Sequence, residues 1–155
     1  MIAVGGNSLS PKGETGGIHQ QFANTRKTLE GISHFIDRGY NLCINHGNGP
    51  QVGNELMRMD LTHDHVPPLP LGVCVAGTQG TIGYMIQQSL QNKLRDMEID
   101  REVVSLVSQV IVDNKDPSIK HPSKFVGARY PKEEAETMAE LFGWKIKEQE
   151  RSEER

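Results

Sequence analysis

The chain has 155 residues, a formal net charge of −3 and two cysteines. This length suffices for one compact domain with its own hydrophobic core. The slightly acidic balance predicts no nucleic-acid partner, since such a partner requires a clustered positive surface. No apolar run approaches the roughly 20 residues that span a bilayer, so we expect no membrane segment and a cytoplasmic location. Cys43 and Cys74 each stand in an apolar stretch, which predicts two buried thiols.

The first third of the chain alternates predicted strands and helices. Residues 1–4 are a short apolar run followed by two glycines, which predicts a buried strand and a turn. Apolar residues at helical spacing across residues 18–36 predict an amphipathic helix. Residues 40–44 are predicted to form a second strand. The order strand, helix, strand is typical of a parallel sheet.

The middle of the chain predicts two further helices and one more strand. Residues 52–60 are predicted to be helical, whereas residues 62–70 contain three prolines and are predicted to form a loop. Every fourth residue from position 82 to position 94 is apolar, which predicts a long helix over residues 78–94. Residues 103–112 are rich in β-branched side chains and predict a buried strand.

The composition changes after this third predicted strand. Residues 113–131 are polar and contain three prolines, which predicts an insertion that projects from the sheet. Residues 132–142 return to helical spacing, and Gly143 is a suitable C-terminal cap. Residues 149–155 are nearly all charged and present no core-forming face, so we expect this tail to fray.

Two glycine-rich loops each follow a predicted strand, and their residues are Gly5, Gly6, Asn7 and Gly47, Asn48, Gly49. In a parallel sheet both loops emerge at the carboxyl edge, where open α/β folds bind ligands. Glycine lets the backbone turn sharply and bring its N–H groups against an anion, and a following helix adds its positive dipole end. Either loop alone also fits an ordinary turn. The two together predict an anion site.

A third glycine-rich segment, residues 77–84, is predicted to open the long helix. Unpaired N–H groups at a helix start can bind an oxyanion. Gly80 and Gly83 each cost the helix about 1 kcal/mol relative to alanine, which indicates that another group approaches closely. Both a ligand and a packed neighbour fit this pattern.

Other chemistries find less support in the sequence. A metal site could be imagined from Asp60, His63, Asp64 and His65. A proline-rich loop without a cysteine or a third histidine in register seldom binds a metal, so we expect none. The chain has no Gly-x-Ser-x-Gly elbow for hydrolase chemistry and no Walker-type Gly-x-x-x-x-Gly-Lys sequence.

Five short segments, read in chain order, carry a family resemblance. They are IAVGGNSL at 2–9, NHGNGPQVG at 45–53, TQGTIGY at 78–84, SQVIVD at 108–113 and HPSK at 121–124. Together they resemble the carbamate kinases of the amino acid kinase family. The resemblance runs over residues 1–148, and because members of that family are about twice as long, it implies an N-terminal half.

The resemblance implies a fold and a domain organisation. The family fold is an α/β three-layer αβα sandwich on a mainly parallel sheet, and its members are usually homodimers. Residues 1–148 would form the part that binds carbamate or carbamoyl phosphate, with residues 113–131 as a protruding insertion. We expect the C-terminal half, which binds ATP or ADP with Mg²⁺ in this family, to be absent.

The resemblance also implies roles for particular residues. Carried onto this sequence, it makes Gly5, Gly6 and Asn7 the holders of the transferring phosphoryl group, and Gly47, Asn48 and Gly49 the holders of the carbamate side. Gln79 and Gly80 would complete the substrate site. Lys124 would act with Gly6 and Asn7 in catalysis, since phosphoryl transfer chiefly requires positioning and neutralisation of charge.

The leading hypothesis for function is therefore a carbamate kinase-type phosphotransferase. Such an enzyme moves a phosphoryl group reversibly between carbamoyl phosphate and ADP, giving ATP and carbamate, as in fermentative arginine catabolism. A second hypothesis is a truncated, inactive remnant that binds anions or dimerises but lacks the ATP site. A third is another amino acid kinase relative that acts on a carboxylate.

Overall fold

A computed structural model describes residues 1–11, 14–121, 126 and 130–146 of the chain. The elements in chain order are β1 (Ile2–Val4), α1 (Gly6–Leu9), α2 (Ile18–Asp37), β2 (Ile44–His46), α3 (Gly49–Thr62), α4 (Leu71–Asp96), a 3₁₀ turn (Pro117–Ile119) and α5 (Lys132–Phe142). None of the helices in the described part is long and apolar enough to cross a membrane.

The two strands form a parallel pair. Ile2 lies opposite Ile44, and Val4 lies opposite His46. Because α2 connects the strands, the chain crosses back and both strands end at the same edge of the sheet. The predicted α/β class with a parallel sheet is confirmed.

The hydrophobic core lies where α2 and α4 pack on each other and on β1. Leu29, Ile32 and Ile36 share one face of α2. From α4 the core receives Ile82, Met85, Ile86, Leu90 and Leu94, and Val4 and Leu9 join from the first turn region. Burial of each such side chain contributes about 1.5–3 kcal/mol. The helical spacing seen in the sequence is therefore the spacing of the core.

Two helices begin earlier than predicted. α3 begins at Gly49 with Pro50 in its first turn, and α4 begins at Leu71 directly after Pro70. Proline fits these positions because the first N–H groups of a helix have no partner within it. The predicted helix start at residue 78 is wrong, and the segment 77–84 lies inside α4.

The second strand lies later in the chain than predicted. Gly39 adopts a left-handed conformation, with φ of +86°, and its N–H donates to the Ile36 carbonyl to end α2. The next residues carry the chain back to the sheet, so pairing begins only at Ile44. The predicted strand over residues 40–44 is wrong in its position. Cys43 is exposed, which contradicts the predicted buried thiol, whereas Cys74 is buried as predicted.

The predicted buried strand over residues 103–112 is wrong. No strand is present there, and most of its apolar side chains are exposed. The physical reason is that no neighbouring strand of the described residues pairs with this segment, so a stretch of strand-forming composition has no ladder to join. The last predicted helix is confirmed as α5, and Gly143 ends it with φ of +67°.

Candidate functional site

The first glycine turn joins β1 to the short helix α1. Gly5 is extended, with φ of −67° and ψ of 144°, and α1 begins at Gly6. The Ser8 N–H donates to the Gly5 carbonyl at 2.9 Å, which closes the turn. Asn7 is exposed beside it. The turn therefore presents its backbone and one amide side chain at the carboxyl end of β1.

The second glycine turn joins β2 to α3 and lies against the first. The Gly47 N–H donates to the Val4 carbonyl at 3.1 Å. A Cβ added to Gly6 would lie 3.3 Å from Pro50 Cδ and 3.4 Å from the Gly47 carbonyl carbon, and one added to Gly47 would lie 3.3 Å from the Gly6 nitrogen. Only residues without a Cβ permit this approach without a shift of the backbone. The two turns thus meet, as their position after parallel strands predicts.

Helix α4 is joined to the second turn by a side-chain hydrogen bond. The Asn48 Nδ2 donates to the Thr78 Oγ1 at 2.8 Å, and the Thr78 hydroxyl donates to the Val75 carbonyl at 2.7 Å. Thr78 is buried and Asn48 is half-buried. Threonine in a helix commonly bonds back to its own turn, which orients the hydroxyl as an acceptor for Asn48. Two of the sequence motifs are therefore joined directly.

Gln79 and Gly80 are placed differently from the glycine turns. The Gln79 amide is hydrogen-bonded to the backbone N–H and carbonyl of Ser108, at 2.8 and 3.2 Å. Gly80 is exposed inside α4, and a Cβ there would meet nothing within 4 Å. The N–H groups of both residues lie in the helix interior rather than at a helix start. Their roles in substrate binding stay predictions.

A buried polar network beside the start of α3 was not predicted from the sequence. The Gln51 Nε2 donates to the Ser10 Oγ at 3.3 Å and to the Gln21 Oε1 at 3.1 Å. These contacts tie α3 to α2 and to the end of α1. The Gln51 Oε1 is buried and has no hydrogen-bond partner within the described residues. The only signal in the sequence was a glutamine next to the second glycine loop.

A second missed contact holds α5 against α3. The Trp144 Nε1 donates to the Asp60 Oδ2 at 2.7 Å, and the Tyr130 and Phe142 rings lie 6.2 and 5.5 Å from the Trp144 ring. Desolvation by burial, with a smaller effect of the Glu134 carboxylate, raises the pKa of Tyr130. The end of the predicted insertion is therefore anchored beside α3.

Backbone groups at the start of α3 supply partial positive charge at the site. The first N–H groups of α3 have no partner inside the helix, and the helix dipole places partial positive charge there. Lys124, the predicted catalytic cation, lies outside the described residues. The described ranges contain no group of three histidine, cysteine or acidic side chains that could hold a metal ion. In the loop after α3, which contains the histidines considered for a metal site, His63 Nε2 lies 3.1 Å from the Asp64 carboxylate.

The chain is similar in sequence to curated carbamate kinases. It is 45% identical over 150 residues to the carbamate kinase of Pyrococcus horikoshii, a match that covers 96% of this chain and 48% of that protein. It is 41% identical over 152 residues to the carbamate kinase of Staphylococcus epidermidis, covering 96% and 47%. The chain spans about half the length of the curated relatives it matches. No protein-family model matches the chain.

The chain is also similar in structure to solved carbamate kinases. The Giardia lamblia carbamate kinase bound to citric acid superposes with a TM-score of 0.87 at 33% identity, over 94% of this chain and 47% of that one. The same enzyme bound to AMP-PNP superposes with a TM-score of 0.79 at 32% identity, over 97% and 48%. The α/β architecture around the two glycine turns is thus that of half of these proteins.

Proposed function

Because this chain belongs to the carbamate kinase family and spans about half the length of its members, we propose that it is the substrate-binding half of a phosphotransferase. The reaction is reversible transfer of a phosphoryl group between carbamoyl phosphate and ADP, giving ATP and carbamate. Carbamate then breaks down to ammonia and carbon dioxide. The observation that carries the proposal is the contact between the Gly6 and Gly47 turns at one edge of the parallel sheet.

The two turns supply what an anionic substrate needs. Gly5, Gly6 and Asn7 lie at the end of β1 and are proposed to hold the phosphoryl group, while the turn around Asn48 holds the carbamate side. The Asn48 amide has two N–H groups, of which one donates to Thr78. Among the described residues its second N–H and its carbonyl oxygen have no partner, and we propose that they bind a planar polar group. Fixing that amide in advance lowers the entropy cost of binding.

Lys124 is proposed to neutralise charge on the transferring phosphoryl group. A preorganised cation stabilises charge that develops in the transition state, typically by a few kcal/mol. This assignment rests on the HPSK segment of the sequence. A homodimer, a cytoplasmic location and a part in arginine catabolism are proposals of the same kind, drawn from the family.

The nucleotide does not fit the described part of this chain. It contains no Walker-type loop, and its described residues offer no cluster of metal-ligating side chains for Mg²⁺. We therefore assign ATP, ADP and Mg²⁺ to the other half of the fold. A relative bound to AMP-PNP supports nucleotide binding by the whole fold.

Two measurements on the purified chain test the proposal. Isothermal calorimetry with carbamoyl phosphate should show binding, and inorganic phosphate should compete with it because both present a phosphate dianion. A coupled assay should show ATP formation from ADP and carbamoyl phosphate only when the other half is supplied. Absence of carbamoyl phosphate binding would refute the site.

The same measurements separate the alternatives. Binding of carbamoyl phosphate without turnover, even with the other half present, would favour the inactive remnant. Stronger competition by acetylglutamate or aspartate than by phosphate would favour a relative that acts on a carboxylate.

A further inference from the structure

Gln51 lies in the first turn of α3 and is only 8% exposed. Its Nε2 donates to the Ser10 Oγ and to the Gln21 Oε1, so one amide joins α3 to the end of α1 and to α2. In the described part of the chain, no other side chain forms a hydrogen bond between α3 and either of these helices. Gln51 is therefore the one directional link between them among the described residues.

A backbone carbonyl determines the direction of these bonds. The Gln21 Nε2 donates to the Gly16 carbonyl at 2.7 Å. Because a carbonyl oxygen only accepts, the Gln21 amide must turn its Oε1 toward Gln51, and Gln51 must present its Nε2 in return. The Gln51 amide is thus held in one orientation, with its two bonds aimed at fixed partners.

The bonds of Gln51 act on both glycine turns. The Ser10 N–H donates to the Gly6 carbonyl at 3.1 Å, so the residue that accepts from Gln51 also ends the helix after the first turn. Gln51 itself directly follows the second turn. The Gly47 N–H donates to the Val4 carbonyl, which fixes the turns where they leave the strands. The Gln51 amide fixes them at the other end, where the helices begin.

We propose that Gln51 is a positioning residue that sets the distance between the two glycine turns, and through it the preference for a ligand that spans both. This role rests on the proposed function, in which carbamoyl phosphate places its phosphoryl group on the first turn and its carbamate side on the second. Inorganic phosphate occupies the first turn alone. Binding groups must be held within about 0.5 Å of their productive positions, and two directional bonds to one buried amide provide such a restraint.

A purely stabilising role accounts less well for this amide. The Gln51 Oε1 is buried without a partner among the described residues, and an unpaired buried acceptor lowers stability. A methionine side chain of similar volume would fill the same space without that loss. An amide is needed at this position only if the direction of its bonds matters.

Calorimetry with two ligands tests the role on the full chain. Gln51→Met keeps the length of the side chain and removes its hydrogen bonds. We expect the dissociation constant of carbamoyl phosphate to rise at least tenfold, because misplacement by about 1 Å can cost about 10²-fold. The dissociation constant of inorganic phosphate should change less than about twofold, since one turn suffices to bind it.

Ser33→Ala is the matched control for a general loss of stability. Ser33 is buried in α2, about three turns from Gln21, and its hydroxyl donates to the Glu30 carbonyl at 2.9 Å. The variant therefore loses a buried hydrogen bond far along the helix from the network. The ratio of the two dissociation constants should stay at its wild-type value.

Amide hydrogen exchange provides a measurement without ligand. The Val52 N–H donates to the Asn48 carbonyl at 2.9 Å and reports on the first turn of α3. In Gln51→Met its exchange should quicken at least tenfold relative to that of the Ile86 amide in α4, because the turn loses its restraint. Ser10→Ala removes one of the two bonds at a half-buried residue, so it should fold and show the same changes to a smaller degree.

The results separate the positioning role from the proposed function. An unchanged ratio of dissociation constants in both Gln51→Met and Ser10→Ala would overturn the role, as would an equal loss of affinity for the two ligands. A similar change in Ser33→Ala would make lost stability the cause and would also overturn it. Failure of the wild-type chain to bind either ligand would contradict the proposed function, and exchange at Val52 would then decide whether Gln51 holds the turns.

Discussion

Two glycines in α4 should respond in opposite ways to the same substitution. Gly80 is exposed inside the helix, and a Cβ there meets nothing within 4 Å. Gly80→Ala should therefore gain the helix propensity of alanine, about 1 kcal/mol. For a chain of this size that corresponds to a rise of about 2–4 °C in the unfolding temperature. Gly31→Ala in α2 has the same open surroundings and is the matched control.

Gly83→Ala should lose that gain. Its Cβ would lie 3.1 Å from the Cβ and Oγ of Ser105, closer than ordinary contact, so Ser105 must give way by a few tenths of an ångström. Overpacking of this kind costs about 1–3 kcal/mol. Against a propensity gain of about 1 kcal/mol, the net effect lies between none and a loss of about 2 kcal/mol. The unfolding temperature should fall by up to about 8 °C.

Thermal and urea unfolding followed by circular dichroism measure the difference between the two variants. We expect Gly83→Ala to be less stable than Gly80→Ala by about 1–3 kcal/mol. Faster hydrogen exchange at the Ser108 amide should accompany the loss, since Gln79 holds that amide. Equal stabilisation by both substitutions would refute the close packing of residues 103–108 on α4.

Three further predictions concern the candidate site. Gly6→Ala should weaken carbamoyl phosphate binding at least tenfold, because its Cβ would push against Pro50 and the Gly47 turn. The same substitution at Gly31 should leave the binding measured by calorimetry unchanged. Thr78→Val should lower the free energy of unfolding in urea by about 1–3 kcal/mol, since the Asn48 amide loses its buried partner. Retention of stability by Thr78→Ser would confirm the hydroxyl as the cause. With the other half supplied, Lys124→Ala should lower kcat by about 10²–10³, and unchanged turnover would exclude this lysine from the mechanism.

Several elements could be predicted because their signals are local. The spacing of Ile82, Ile86, Leu90 and Leu94 predicted a helix face, and those side chains are in the core. Glycine after each predicted strand indicated the two turns, and the rule that parallel strands end at one edge brought the turns together. Gly143 ended α5 as expected, since a left-handed cap is a property of a single residue.

The errors arose where a local signal competes with distant partners. Residues 103–112 have the composition of a buried strand, but a strand exists only where another strand pairs with it, and none of the described residues does so. The start of α4 was placed too late because glycines at 77 and 80 resemble a helix start, whereas Pro70 fits the actual one. Cys43 stands in an apolar stretch, yet it lies just before β2 and is exposed.

By itself the sequence determined the class of fold, the face of each long helix that enters the core, and the two glycine turns, because spacing and backbone freedom are encoded residue by residue. Only the tertiary structure decided that Asn48 is fixed by Thr78, that Gln51 joins three helices, and that glutamines of α4 hold the segment after it. Those contacts join residues far apart in the chain, and hydrogen bonds over such separations depend on how the elements pack rather than on any local pattern.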